Sequence, residues 1–295
     1  MSALHLKGVL TALITPFDDS GKVDMDAFRA LVARQLDAGI HGLVPCGTTG
    51  ETPTLDEDEW AALVTCCVEM ADGRVPVVPG TGGHDTARSV ARTRRAAALG
   101  ADAALVVSPY YNKPNPRGLV GHYRAVAAVG LPVVLYNVPS RTGLNVAPEL
   151  VLEIAKIEGL AAVKEASGQL SQAMSLVAAR PRADFSILSG EDELTCAMTL
   201  LGGDGVISVV SNVDPAGTVA MVEAALEGDA AAARRTHYRL LKLTRALFAE
   251  TNPVPAKAAL AELGLCRDAV RPPLAAASEA TRRLLREGLA AAGLL

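Results

Sequence analysis

The stretch G-L-A-A-V-K-E-A-S-G (159–168) joins the pattern of a buried β-strand to a lysine at its end. Four apolar residues (160–163) precede Lys164, and Gly159 before them suits the C-terminus of a helix. Because side chains alternate along a strand, Lys164 and Glu165 could face opposite ways. The pattern leaves two interpretations open: an ion pair of Lys164 with Glu165 at a strand end, or a lysine placed in a desolvated site.

Working outward from this stretch, similar short apolar runs alternate with longer amphipathic segments along most of the chain. Phe28, Leu31, Val32 and Leu36 share one helical face, and Gly39 marks that helix's end. The predicted strands cover residues 9–15, 42–46, 75–79, 103–108, 132–136, 160–164, 185–189 and 205–209. Eight nearly continuous apolar strands predict a closed (β/α)8 TIM barrel. An open doubly wound sheet is less favoured, because no G-x-G-x-x-G turn follows the first strand.

The strand pattern stops after Val210, and the rest of the chain reads as helical. Breaks at Gly228, Pro253 and Pro272 divide this tail. We therefore predict two units, a catalytic barrel over residues 1–222 and a C-terminal helical subdomain over residues 223–295.

Composition excludes several classes of function. The chain has 28 Lys and Arg against 32 Asp and Glu, a formal charge of -4, and no block of like charge, so neither nucleic acid nor an anionic membrane is indicated as a partner. The apolar runs are too short to span a bilayer, and the first residues lack a signal-peptide pattern, so we expect a cytoplasmic protein. The five cysteines and five histidines show no metal-ligand spacing, and we expect no metal and no cofactor.

Polar and glycine-rich segments collect at the predicted C-terminal ends of the strands, where barrel enzymes place their sites. They are T-P (15–16), G-T-T-G-E (47–51), G-T-G-G (80–83), S-P-Y-Y-N (108–112), Y-N-V-P-S-R-T-G (136–143), K-E-A-S-G (164–168) and S-G-E-D-E (189–193). This concentration predicts a site at one end of the barrel.

Lys164 is the candidate nucleophile of that site. Burial lowers the pKa of a lysine, and a neutral amine can attack a ketone to form a Schiff base. Such chemistry needs a proton relay, and Tyr136 ends the neighbouring predicted strand, where a phenol could serve. The competing interpretation of a single tyrosine is core packing with a satisfied hydroxyl.

Two further features suit carboxylate binding. The G-T-T-G-E turn offers backbone N–H groups and the hydroxyls of Thr48 and Thr49. Arg141 could bind a second carboxylate through two hydrogen bonds. As isolated features both are weak, since most Gly-Thr turns are only turns and most loop arginines are solvated.

Taken in order, these segments resemble the dihydrodipicolinate synthase and N-acetylneuraminate lyase family, pyruvate-dependent class I aldolases on a (β/α)8 barrel. The resemblance covers essentially the whole chain. Its motifs are G-T-T-G-E, Y-N-V-P-x-R-T-G, V-K-E-A-S-G, G-V-I-S-V (205–209) and N-P-V-P-x-K (252–257).

The resemblance implies a role for each candidate residue. Lys164 would form the Schiff base with pyruvate, Thr48 and Thr49 would bind its carboxylate, and Tyr136 would donate and accept protons. Thr48 would also pass protons to Tyr111 of a neighbouring subunit, in a homotetramer built from two tight dimers. The positions of Gly190 and Ile207 match residues that line the pyruvate end of the pocket, with the carbonyl of Ile207 facing it.

The resemblance also implies a substrate pair. Arg141 would bind the carboxylate of L-aspartate 4-semialdehyde, whose condensation with pyruvate gives 4-hydroxy-tetrahydrodipicolinate, on the route to diaminopimelate and lysine. Two alternatives stay open: an aldolase, lyase or dehydratase acting on a 2-keto-3-deoxy sugar acid, and a catalytically silent barrel that binds a small carboxylate.

Many bacterial members of the family are inhibited by lysine, and the resemblance allows a prediction on this point. The chain has Glu57 and Trp60 where histidines often occur in the sensitive enzymes, and His84 and Arg88 in place of an Asn and a Glu. Because Arg88 should repel the ligand's ammonium group, we expect weak or absent inhibition by lysine.

Overall fold

The computed structural model describes residues 4–295, and in them seven parallel strands form one sheet. The strands are β1 (Gly8–Ala12), β2 (Gly42–Val44), β3 (Ala104–Val107), β4 (Val133–Asn137), β5 (Leu160–Glu165), β6 (Ser186–Ser189) and β7 (Gly205–Ser208). Their spatial order is β2-β1-β7-β6-β5-β4-β3, so β2 and β3 stand at the two ends of the hydrogen-bonded series.

The predicted strand at residues 75–79 fills the gap between β2 and β3 without forming a regular strand. The N–H of Leu43 donates to the carbonyl of Pro76 (2.9 Å), and the N–H of Leu105 donates to that of Pro79 (2.9 Å). Only isolated bridges form, because prolines at positions 76 and 79 have no N–H to donate. The segment thus closes the ring in the position of the eighth strand of a (β/α)8 barrel, and the predicted fold class is confirmed.

Helices surround the barrel and continue beyond it. They are α1 (Met25–Asp37), α2 (Glu57–Ala71), α3 (Thr86–Ala98), α4 (Pro116–Ala127), α5 (Pro139–Thr142), α6 (Pro148–Ile154), α7 (Leu170–Ala178), α8 (Thr195–Leu200), α9 (Pro215–Leu226), α10 (Ala230–Leu247), α11 (Val254–Glu262) and α12 (Glu279–Ala292). Short 3₁₀ turns cover Thr52–Thr54, Asp192–Leu194 and Val210–Asn212. Among the helices so described, none has the length and apolarity needed to cross a membrane.

Side-chain alternation divides the barrel core into an inner and an outer layer. Leu10, Val134, Ala162 and Leu188 belong to a buried cluster that also contains Tyr136, whereas the intervening Val9, Val133, Val163 and Ile187 pack in a second cluster with residues of the helices. The strand interiors are therefore apolar on both faces, as the uninterrupted runs predicted.

The C-terminal helices have a core of their own. Leu240, Leu243 and Leu247 of α10 pack with Leu285 and Leu289 of α12 in a third buried cluster. Ile14 and Leu31 from the barrel join this cluster, which attaches the helical region to the mouth of the barrel. The boundary predicted at residue 222 lies within α9, and the division into two units stays a prediction.

Candidate active site

Lys164 lies at the end of β5 on the inner face of the barrel. It is paired in register with Tyr136 of β4 and Leu188 of β6, and it is only 5% exposed. Glu165 points the other way, where its carboxylate accepts hydrogen bonds from the side chains of Asn137 and Gln172 (3.0 Å each). Strand alternation thus separates the two charges, and the ion-pair interpretation of Lys164 with Glu165 is wrong.

Burial governs the chemistry of the Lys164 amine. Desolvation lowers the pKa of Lys164 to about 8, and the positive charge of Arg141 acts in the same direction. The carboxylates of Asp192 and Glu191 oppose this effect without cancelling it. A usable fraction of the amine is therefore neutral near pH 7, which a nucleophilic lysine requires.

Tyr136 lies beside that amine. The Nζ atom of Lys164 lies 4.4 Å from the centroid of the Tyr136 ring. Burial raises the pKa of Tyr136 to about 12, although Arg141 and the side chain of Thr48 pull it down. The phenol accordingly keeps its proton at neutral pH and is available as a donor beside the amine.

The turn after β2 presents unused donors to the same space. Within residues 4–295, no acceptor takes the backbone N–H of Thr48 or of Thr49. The hydroxyl of Thr15 donates to the carbonyl of Gly50 (2.8 Å), which fixes the turn to the end of β1. Two adjacent free N–H groups in a fixed turn form a small concave site for an anion.

Glu51 anchors this turn to the C-terminal helices. Its backbone has a left-handed φ of 54°. Its buried carboxylate accepts hydrogen bonds from the Nζ of Lys257, which has no exposed surface, and from the N–H of Arg271 (3.0 Å). The shape of the G-T-T-G-E turn therefore depends on residues more than 200 positions away.

A cavity of about 400 Å³ joins these groups at the C-terminal end of the barrel. Its lining includes Thr48, Thr49, Tyr136, Arg141, Lys164, Gly190, Glu191, Phe248 and Asn252. A Cβ atom at Gly190 would lie 3.0 Å from Cε of Lys164 and 2.6 Å from Cβ of Ala166, so only glycine leaves the lysine this room. Ile207 is fully buried in the inner barrel cluster and is not part of the lining.

Comparison with known proteins places the chain among enzymes. The model of the Dihydrodipicolinate synthetase family matches residues 5–292. The chain belongs to this family. A 4-hydroxy-tetrahydrodipicolinate synthase from Thermomicrobium roseum is 50% identical over 286 residues, which are 97% of this chain and 94% of the relative.

Solved structures of the family have the same fold. The crystal structure of dihydrodipicolinate synthase from Thermotoga maritima has a TM-score of 0.96 at 42% identity and covers 99% of this chain and 100% of its own. The chloride-inhibited synthase from Acinetobacter baumannii, crystallised in complex with pyruvate, has a TM-score of 0.96 at 36% identity, over 98% of this chain and 100% of its own. The family resemblance seen in the sequence is thereby confirmed.

Tyr111, another candidate site residue, lies on the surface of the chain and outside the cavity. It is 92% exposed and has a left-handed φ of 69°, in the segment between β3 and α4. The single chain does not bring Tyr111 to the cavity that Lys164 lines. Its catalytic assignment stays a prediction.

Three of the four residues considered for lysine inhibition, Glu57, His84 and Arg88, line a second, larger cavity of about 580 Å³. Glu57 is already paired with Arg92 and Arg95. Trp60 does not belong to the lining, since it is fully buried and its indole N–H donates to the carbonyl of Gly80 (3.0 Å).

Three lining or neighbouring residues were missed as candidates: Asn252, Glu191 and Asp192. Desolvation raises the pKa of both Glu191 and Asp192, and Asp192 is held by the N–H of Val209 (2.9 Å) and the hydroxyl of Ser208. Their segments, S-G-E-D-E and N-P-V-P-x-K, were visible as motifs. The sequence did not indicate which of their side chains would reach the cavity.

Proposed function

We propose that this protein is a class I aldolase that condenses pyruvate with L-aspartate 4-semialdehyde to give 4-hydroxy-tetrahydrodipicolinate. The observation that carries the proposal is the buried Lys164, whose pKa is lowered to about 8, in a cavity that Arg141 also lines. The relatives named synthases and the family match support the same reaction.

Schiff-base formation opens the reaction. The neutral amine of Lys164 attacks C2 of pyruvate while the carboxylate lies against the N–H groups and hydroxyls of Thr48 and Thr49. Tyr136 protonates the departing oxygen, which leaves as water, and its phenolate then takes a proton from C3, so that the iminium ion becomes an enamine.

Carbon–carbon bond formation follows. C3 of the enamine attacks the aldehyde carbon, and the aldehyde oxygen takes up a proton through Tyr136 and Thr48. Arg141 holds the carboxylate of the semialdehyde through paired hydrogen bonds. The amino group of the semialdehyde then attacks C2, which closes the ring and releases the amine of Lys164.

We further propose that the active unit is a tight dimer within a homotetramer, in which Tyr111 completes the proton relay of its neighbour. Its 92% exposure on the isolated chain supports this role, because a tyrosine so placed can enter another subunit's site. Mixing Tyr111→Phe and Lys164→Ala subunits tests the proposal. Activity should exceed that of either variant alone, because one site in each mixed dimer has both residues. No recovery in demonstrably mixed dimers would contradict it.

Arg141 favours the semialdehyde over a 2-keto-3-deoxy sugar acid, since its guanidinium matches a carboxylate at the far end of the acceptor. The deciding experiment is turnover of pyruvate with aspartate semialdehyde, coupled to the next reductase, for wild type and Lys164→Ala. We expect activity in wild type alone. Wild-type inactivity together with cleavage of a sugar acid would refute the synthase assignment.

We propose a cytoplasmic location, as expected for a biosynthetic enzyme of small metabolites.

A further inference from the structure

Asn252, shortly before α11, contacts two other residues that line the active-site cavity. Its side chain is 7% exposed, and its Nδ2 donates a hydrogen bond to the hydroxyl oxygen of Thr49 (2.9 Å). Its backbone carbonyl accepts a hydrogen bond from Arg141 (3.1 Å). The cavity is lined by all three residues.

The hydrogen bond from Asn252 to Thr49 determines where the proton of the Thr49 hydroxyl can point. A threonine hydroxyl has one proton to donate, and an amide NH₂ group can only donate. Because Thr49 accepts from Asn252, the proton of its hydroxyl is not used in this bond. No other group in the described part of the chain takes that proton, so it is left for a ligand in the cavity.

We infer that Asn252 is a positioning residue that keeps the Thr49 hydroxyl as a donor towards the carboxylate of the 2-oxo acid. The inference rests on the proposed function, in which Thr49 binds that carboxylate. A carboxylate only accepts hydrogen bonds, so a hydroxyl turned the other way would oppose it with a lone pair.

The other polar atom of the Asn252 side chain is Oδ1. It is buried and has no hydrogen-bond partner within residues 4–295. A buried amide oxygen without a partner is unfavourable, so the orientation of this side chain is held by the bond of its Nδ2 to Thr49 and not by its oxygen.

Asn252→Asp is the most direct perturbation, because aspartate has nearly the same shape but can only accept from Thr49 when ionised. The hydroxyl should turn its proton away from the cavity. The pyruvate concentration that gives half-maximal borohydride trapping should rise by about tenfold or more, as expected for losing a hydrogen bond to a charged group. Asn252→Ala leaves the hydroxyl free to rotate, so its effect should be smaller.

Two controls separate this role from packing and from simple charge repulsion. Both variants keep the backbone carbonyl that Arg141 contacts, so the KM for the aldehyde should change by less than about threefold. Thr49→Val removes the hydroxyl at similar volume. In that background Asn252→Asp should add little to the pyruvate requirement, because no hydroxyl remains to be reversed.

Equal effects of Asn252→Asp and Asn252→Ala on pyruvate would indicate packing and overturn the inference. An undiminished effect of Asn252→Asp in the Thr49→Val background would indicate charge alone and would also overturn it. The trapping assay uses pyruvate without an aldehyde. Wild-type protein that traps pyruvate but does not turn over aspartate semialdehyde would therefore refute the proposed function and leave this inference testable by the same variants.

Discussion

The pH dependence of Schiff-base formation should report the pKa of Lys164 directly. With a pKa of about 8, roughly one amine in eleven is neutral at pH 7 and about one in a hundred at pH 6. An ordinary lysine with a pKa of 10.5 would be neutral in only about one molecule in three thousand at pH 7. The trapping rate with saturating pyruvate should thus rise about ninefold from pH 6 to pH 7, reach half of its maximum near pH 8 and level off above about pH 9.

Two substitutions should move this profile in opposite directions. Asp192 raises the pKa of Lys164 and Arg141 lowers it, so Asp192→Asn should shift the midpoint to lower pH and Arg141→Gln should shift it to higher pH. The measurement is the initial rate of borohydride-trapped adduct, by mass spectrometry, between pH 5.5 and about 10. A wild-type midpoint near 10, or two variants that move it in the same direction, would refute the electrostatic reasoning.

Further substitutions test the structural basis of the site. Lys164→Met should raise the free energy of unfolding at pH 7, measured by urea denaturation, by about 1–3 kcal/mol, because the folded state no longer buries a charged amine. This gain in stability should vanish as the pH approaches 10.5, where the unfolded lysine also loses its proton. Gly190→Ala should lower kcat roughly 100-fold by displacing Lys164, with a smaller loss of thermal stability, and an unchanged kcat would disprove the steric argument. Lys257→Met should cost about 3–5 kcal/mol in the same denaturation assay because Glu51 loses its buried partner, and a loss below about 1 kcal/mol would contradict this. Lysine should inhibit turnover weakly or not at all because Arg88 lines the larger cavity, and a sub-millimolar inhibition constant would overturn that expectation.

Most of the barrel was predictable because its physical signals are local. Apolar runs of strand length separated by amphipathic helices with glycine ends indicated the fold, and alternation alone suggested that Lys164 and Glu165 face opposite ways. The same local rules wrongly predicted a regular strand at residues 75–79. Its apolar residues fit a strand, but the prolines at 76 and 79 remove the N–H groups that a regular ladder needs.

The parts of the site that sequence reasoning missed depend on contacts distant in the chain. Asn252 meets Thr49 across 203 positions and Lys257 meets Glu51 across 206. Neither pairing follows from spacing or periodicity, because the C-terminal helices must first pack on the barrel. Likewise, burial of Asp192 near Lys164 is a property of the assembled strand ends and has no local pattern.

Lys164 is the nucleophile that we propose forms the Schiff base with pyruvate. The most direct test is borohydride reduction of wild-type protein and of Lys164→Ala in the presence of pyruvate, followed by digestion and peptide mass analysis. We expect one stable adduct per wild-type chain, on the peptide that contains Lys164, and no adduct in the variant. An adduct on a different lysine, or one that persists in the variant, would contradict it.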